Sequence, residues 1–269
     1  GVVMASFSIA SIVGIPLGMT LAVHQNWHAP FLWLGLFGLG VSGWAALLFP
    51  HLVGHISAVR PKPLQILREM FREPSHRRAF ALSIALVMAG FTVIPFISPY
   101  LVGNVGFRDD QLQYVYLCGG IASVITSPLI GRWADRWAAR QVFVTIAACS
   151  IIPLVLITHL PAVGIPLALV VAVVFIVLVS GRFVPAMTLI ANSVTPRLRG
   201  SFMGFNSAVQ SLTMGIAAQV AGFLVTKSGD GRIEHYPRVG WLAAAFTVLA
   251  IIIALTMRPV TRPSPEIRP

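Results

Sequence analysis

Eight apolar stretches of about 20 residues alternate with short polar turns along the whole chain, at positions 2–23, 29–53, 79–102, 112–130, 142–159, 165–191, 202–226 and 239–257. At a rise of about 1.5 Å per residue, a helix of about 20 residues crosses the roughly 30 Å hydrocarbon core of a bilayer. Inside these stretches the apolar residues run on without the period-two alternation of a barrel strand, most clearly over 165–179. A backbone in hydrocarbon must form its hydrogen bonds within its own segment, so unbroken runs of this kind predict helices. The pattern therefore predicts an all-α membrane protein with eight transmembrane helices.

The longest polar connection, 54–78, places Leu64, Leu67, Met70 and Phe71 among Arg68, Glu69, Arg72 and Glu73. That spacing predicts a short amphipathic helix lying on the membrane surface. The connection divides the chain into a unit of two spans (1–53), the connecting loop (54–78), a unit of six spans (79–257) and a polar tail (258–269).

Composition agrees, with 57% hydrophobic and 10% charged residues, against about 25% charged in an ordinary soluble domain. The net charge of +11 would suggest nucleic acid in a soluble protein, but its distribution excludes that partner. Of the 19 Lys and Arg residues, only Arg108, Lys227, Arg232 and Arg238 fall on one side of the expected topology. All the others except Arg182 lie in 54–78, 131–140, 195–199 and the tail, which marks those segments as cytoplasmic. Trp27, Tyr100, Tyr114, Tyr236 and Trp241 near the outer ends, with Trp133 and Trp137 at an inner turn, read as interfacial belts.

Several chemistries are not indicated. Cys118 and Cys149 lie in apolar helices without CxxC spacing, so the sequence points to neither a disulfide nor a zinc site. His51 and His55 lack a third ligand, and no metal or cofactor is expected. Glu69, Glu73, Asp109, Asp110, Asp135, Asp230, Glu234 and Glu266 all fall in turns, helix ends or the tail, leaving no paired acids at membrane depth for an intramembrane enzyme.

Arg182 is the one formally charged residue within a span. An intramembrane cation is costly, so it either serves function, by binding a substrate or anchoring a polar network, or snorkels to the interface. Asn206, Gln210 and Thr213 share one helical face, which either lines a polar cavity or bonds a neighbouring helix. Phe91, Thr92, Phe96 and Tyr100 surround Pro95 and Pro99, which bend a helix and free carbonyls, suiting a hinge beside a mixed apolar cavity or simple aromatic packing. Ser6, Ala10, Gly14, Gly18 and Ala22 repeat every four residues, as do Gly119, Ser123, Ser127 and Gly131. Such faces let helices approach closely.

The turn GRWADRWAAR, with Gly131, Asp135, Arg136 and Arg140, resembles the G-x-x-x-D-R-x-x-x-R loop of the major facilitator superfamily, with Ala138 in place of the usual glycine. Gly131 is expected to end its helix, and Asp135 to cap the next one or pair with a cation. Gly14, Pro16 and Gly18 resemble the fifth-span antiporter motif, and Thr195 to Gly200 with Asn206 and Gln210 resembles the drug and sugar efflux branch, including arabinose-efflux-permease-like proteins. The resemblance implies spans five to twelve of a twelve-helix fold, with four further spans of the same polypeptide before Gly1. It implies a secondary transporter of a bacterial inner membrane, exporting a drug or sugar in exchange for protons by alternating access. It also implies that Gly14, Pro16 and Gly18 meet Gly119, Ser123 and Ser127 at the seam between halves. A receptor or scaffold built on the same fold is the alternative.

Overall fold

The computed structural model describes residues 14, 17–18, 20–22, 24–48, 63–195 and 197–257. It is helical almost throughout. Helix α1 (Ala29–Leu48) starts where the Asn26 side chain accepts the amides of His28 and Ala29, both at 3.0 Å, the usual satisfaction of a helix's first free N–H groups. A shorter α2 (Pro63–Arg72) leads into α3 (Pro74–Phe91), which breaks before α4 (Ile94–Tyr100) and a π-helical turn, Leu101–Val105. Gly106 closes that turn at φ 96°, a left-handed conformation that favours glycine. After a short 3-10 turn come α5 (Leu112–Arg136), α6 (Ala139–Thr158), α7 (Ile165–Gly181), α8 (Phe183–Asn192) and α9 (Arg199–Leu224). A two-stranded antiparallel hairpin, β1 (Thr226–Lys227) with β2 (Ile233–Glu234), then precedes α10 (Tyr236–Thr256).

Among the described residues, 7 helical stretches are long and apolar enough to span a membrane: α1, Pro74–Val105, Asp109–Arg136, α6, Ile165–Asn192, α9 and α10. The first expected span, 2–23, lies largely outside the described residues, as do the connection at 49–62 and the tail from 258.

The last six spans form one bundle. The packing runs from α9 to α3, α10, α6, α7 and α5 in turn, and α8 crosses between α3 and α6. Its ends, α9 and α5, are not extensively packed on each other, and they are the least buried of the six spans. One side of the bundle is therefore open. Close approach inside it depends on absent side chains: a Cβ on Gly240 would collide with the Thr158 side chain, one on Gly181 would meet Ile130 Cδ1 at 2.5 Å, and one on Gly119 would meet Ile176 Cδ1 at 2.6 Å.

Four expectations change. Met70 of α2 is 2% exposed and joins the inner core with Phe80, Phe202 and Ala254, while Phe71 stacks on Phe80 at 5.4 Å. The helix therefore packs on the bundle end as well as facing outward. Gly131 does not end α5, which runs on to Arg136 before Trp137 turns extended. A Cβ built on it would stand 3.9 Å from Val184 Cγ1 of α8, an ordinary contact, so the position faces α8 without requiring glycine. Asp135 thus remains helical and exposed, caps nothing, and makes no ion pair among the described residues. Tyr100 and Tyr236 are buried rather than at the lipid interface, because each hydroxyl has a buried carbonyl to bond. Trp27, Tyr114, Trp133, Trp137 and Trp241 do remain exposed.

Replacing Gly240 by Leu should lower thermal stability in detergent, by about 1–3 kcal/mol of overpacking against Thr158. Equal melting of the Gly240 variant and wild type, followed by tryptophan fluorescence, would contradict the packing described.

Candidate functional site

Arg182 joins α7 to α8 and is 0% exposed. It does not snorkel. Its Nη1 donates to Ser150 Oγ on α6 at 3.2 Å and to Thr247 Oγ1 on α10 at 3.0 Å. Both hydroxyls spend their own protons on helix carbonyls, Ser150 on Ala147 at 2.7 Å and Thr247 on Ala243 at 2.9 Å, so their lone pairs are left to accept from the guanidinium. One side chain thus cross-links three segments of the bundle. Its Nε and Nη2 have no partner among the described residues. Gly90 of α3 lies alongside, with Nη2 3.7 Å from the position of a Cβ built on it.

The second feature is the break between α3 and α4. Pro95 cannot supply the N–H that would bond the Phe91 carbonyl, and the helix parts over Thr92 and Val93; Pro99, inside α4, likewise leaves the Pro95 carbonyl without its helical donor. Neighbouring elements hold the broken piece. Tyr236 donates to the Val93 carbonyl at 2.8 Å and Tyr100 to the Leu160 carbonyl at 3.0 Å. Asn104 pairs both ways with the backbone of Ile233, donating to its carbonyl at 3.0 Å and accepting its amide at 2.8 Å. Gly103 lets the Gly231 carbonyl come within 2.5 Å of where a Cβ would stand, so the β1–β2 hairpin sits directly on the π-helical turn. Thr92 turns back on its own helix, donating to the Met88 carbonyl at 2.9 Å. Phe91 and Phe96 are half-buried.

On α9, Asn206 is fully buried with both amide atoms unpartnered, Gln210 is half-buried with Nε2 3.7 Å from Met187 Sδ, and Thr213 donates to the Val209 carbonyl. The Asn206 end of this polar face therefore looks into the bundle. The opposite face carries Gly200, Gly204, Ser207, Ser211, Gly215 and Gly222, all exposed, and the four glycines have nothing within 4 Å of a built Cβ.

The residues expected at the seam are described only in part. Gly119 packs on Ile176 of α7, and Ser123 beside it on α5 is buried, while Ser127 is half-buried. Gly14 and Gly18 have no atom within 4 Å of a built Cβ, and Pro16 lies outside the described residues. Gly119 is taken up inside the six-span bundle, because α7 presents Ile176 where a side chain on α5 would stand; the helix that carries Gly14, Pro16 and Gly18 lies largely outside the described residues, so their pairing with the Gly119 face stays an expectation. Arg136 and Arg140 are exposed beside Asp135 at the α5–α6 turn.

Sequence reasoning missed Ser150 and Thr247, isolated hydroxyls in apolar helices whose only signal is their distance from any turn. It also missed Asn104, the one carboxamide of its span, and Gly90.

A family model described as Major Facilitator Superfamily matches residues 79–269. Among curated proteins, the chain is 26% identical over 263 residues to the uncharacterized MFS-type transporter YbcL of Bacillus subtilis (strain 168), covering 94% of this chain and 62% of that protein. It is 24% identical over 140 residues to a protein of Pasteurella multocida (strain Pm70) named as a probable sugar efflux transporter, covering 52% of this chain and 34% of that protein.

Replacing Asn104 by Ala leaves the Ile233 amide and carbonyl without their side-chain partner, a cost of about 1–3 kcal/mol. The hairpin at 226–234 should then be cut faster by an externally added protease. Unchanged cleavage would show that Asn104 does not hold it.

Proposed function

The chain belongs to the major facilitator superfamily, and we propose that it exports a small sugar-like or amphipathic molecule in exchange for protons, by alternating access. It is an integral, multi-pass membrane protein of a transporter family. Residues 79–257 act in this reading as one six-helix half, 54–78 as the cytoplasmic connection, and a bacterial inner membrane as the setting.

The observation that carries the reading is the open side of the bundle between α5 and α9. A bundle that buries α3, α6 and α10 yet leaves α9 with a row of exposed small residues has a surface suited to another helix moving close against it. Efflux of a sugar is supported by the named relative from Pasteurella multocida.

Roles follow burial. Phe91, Phe96 and Gln210, each half-buried, are the side chains proposed to touch substrate. Aromatic faces suit the apolar side of a sugar ring, and a carboxamide suits its hydroxyls. Thr92, Asn206 and Arg182 stand behind them as buried supports. Gly131, Asp135, Arg136 and Arg140 form the turn proposed to favour one conformation, with Gly131 facing α8 and the charged residues at the cytoplasmic surface.

In liposomes containing the intact protein, an imposed pH gradient should drive saturable movement of a pentose or hexose. Gln210→Ala should raise KM about three- to tenfold, the worth of one hydrogen bond, with insertion unchanged. Absence of flux for any sugar or amphipathic drug under either gradient direction would remove the reading.

A further inference from the structure

We propose that the contact between α3 and α9 is a joint built to open, at which α9 parts from α3 as the protein changes conformation. Among the described residues, α9 packs extensively on α3 and only lightly on α10. What holds α9 to the bundle therefore lies mainly in this one seam. Its first part is aromatic: Phe80 stacks on Phe202 at 4.4 Å and meets Phe205 edge-on at 5.5 Å, while the His76 ring lies 5.4 Å from that of Phe202. The early turns of both helices thus meet, and the contacts advance together along the two. Ser83 comes three residues after Phe80 and Asn206 four after Phe202, so each continues its helix's seam face one turn further on.

That seam is short of hydrogen bonds. His76 is 2% exposed, and Ser83 and Asn206 are 0% exposed. Of the eight buried side-chain nitrogen and oxygen atoms without a partner among the described residues, five belong to these three side chains: both ring nitrogens of His76, the Ser83 hydroxyl and both amide atoms of Asn206. The contact between α6 and α10 is the opposite case, since its buried Ser150, Thr158 and Thr247 hydroxyls all donate to carbonyls. A polar atom closed off without a partner loses its hydration and gains no bond in exchange. Ring packing around Phe80 and Phe202 holds the seam shut against that loss. The two effects oppose each other, which brings the closed and parted arrangements near in free energy, as a two-state element requires. Parting the helices gives the five atoms access to water or new partners and breaks the ring contacts. The use of this opening in moving a substrate rests on the transport reading above; the joint itself does not.

The test follows a thiol placed in the seam of the intact protein in nanodiscs, with the native cysteines replaced by alanine. Ser83→Cys is close in shape to the original side chain and should react slowly with N-ethylmaleimide under native conditions, because local opening exposes it. Adding Asn206→Leu, which keeps a similar volume and removes the orphan amide, should slow that reaction about tenfold, the worth of one unmade hydrogen bond. Asn206→Leu alone should also melt at a higher temperature than wild type. Ser83→Ala, which adds no atom, should do the same and serves if leucine does not fit. A Ser83→Cys thiol that stays unreactive until the protein melts would overturn the joint, as would equal reaction rates with and without Asn206→Leu. So would lowered melting of Ser83→Ala and Asn206→Leu, which would mean that both groups are bonded where they stand. None of these readouts needs a substrate, so a protein that moves no sugar or drug would lose the transport reading while the joint is judged on its own.

Discussion

Hydrocarbon supplies no hydrogen-bond partner, so each place where a spanning helix of this protein breaks must be closed from within the protein. The two main breaks illustrate how. Where α3 parts from α4 ahead of Pro95, the hydroxyl of Tyr236 arrives from α10 to take the Val93 carbonyl, and Asn104 engages Ile233 of the β1–β2 hairpin through two bonds. Where α7 gives way to α8, the residue at the joint is Arg182, whose side chain ties α6 and α10 to the break through Ser150 and Thr247. In both cases a side-chain bond made at the break fixes the position of a distant helix. The breaks are thus the points at which the bundle is cross-braced.

Much of this architecture was legible in the hydropathy pattern. Helix positions for the last six spans follow from runs of apolar residues, because length against bilayer thickness is a strong constraint. Boundaries moved where a polar turn was itself helical, as at α5, which extends past Gly131 to Arg136. A glycine costs a helix only about 1 kcal/mol relative to alanine, so Gly131 does not by itself end α5. Tyr100 and Tyr236 fit an interfacial belt by position, yet they are buried, since nothing in one dimension reveals the carbonyls of Leu160 and Val93 waiting for them.

The candidate site was less legible, for the same reason. Arg182 stood out because a cation in an apolar run is rare, but its depth and its partners depend on which faces of α6 and α10 turn toward it. Small-residue periodicity carried a similar ambiguity. Two stripes of small residues, at intervals of four on α5 and of three and four on α9, have opposite fates: Gly119 lies against Ile176 inside the bundle, while Gly204 and Gly215 face outward with nothing near among the described residues. Spacing shows that a close approach is possible, and only the packing shows which neighbour makes it.

The central claim is that the broken segment from Ile94 to Val105 is locked to its neighbours, although two prolines deprive it of regular helical bonding. Hydrogen exchange of wild-type protein in lipid nanodiscs measures this directly. Amides of 94–105 should exchange as slowly as those of α3 at 79–90, because Tyr236, Tyr100 and Asn104 hold them in place. Fast exchange over 94–105 beside a protected α3 would contradict the account, since it would mean that the cross-braces do not hold in the membrane.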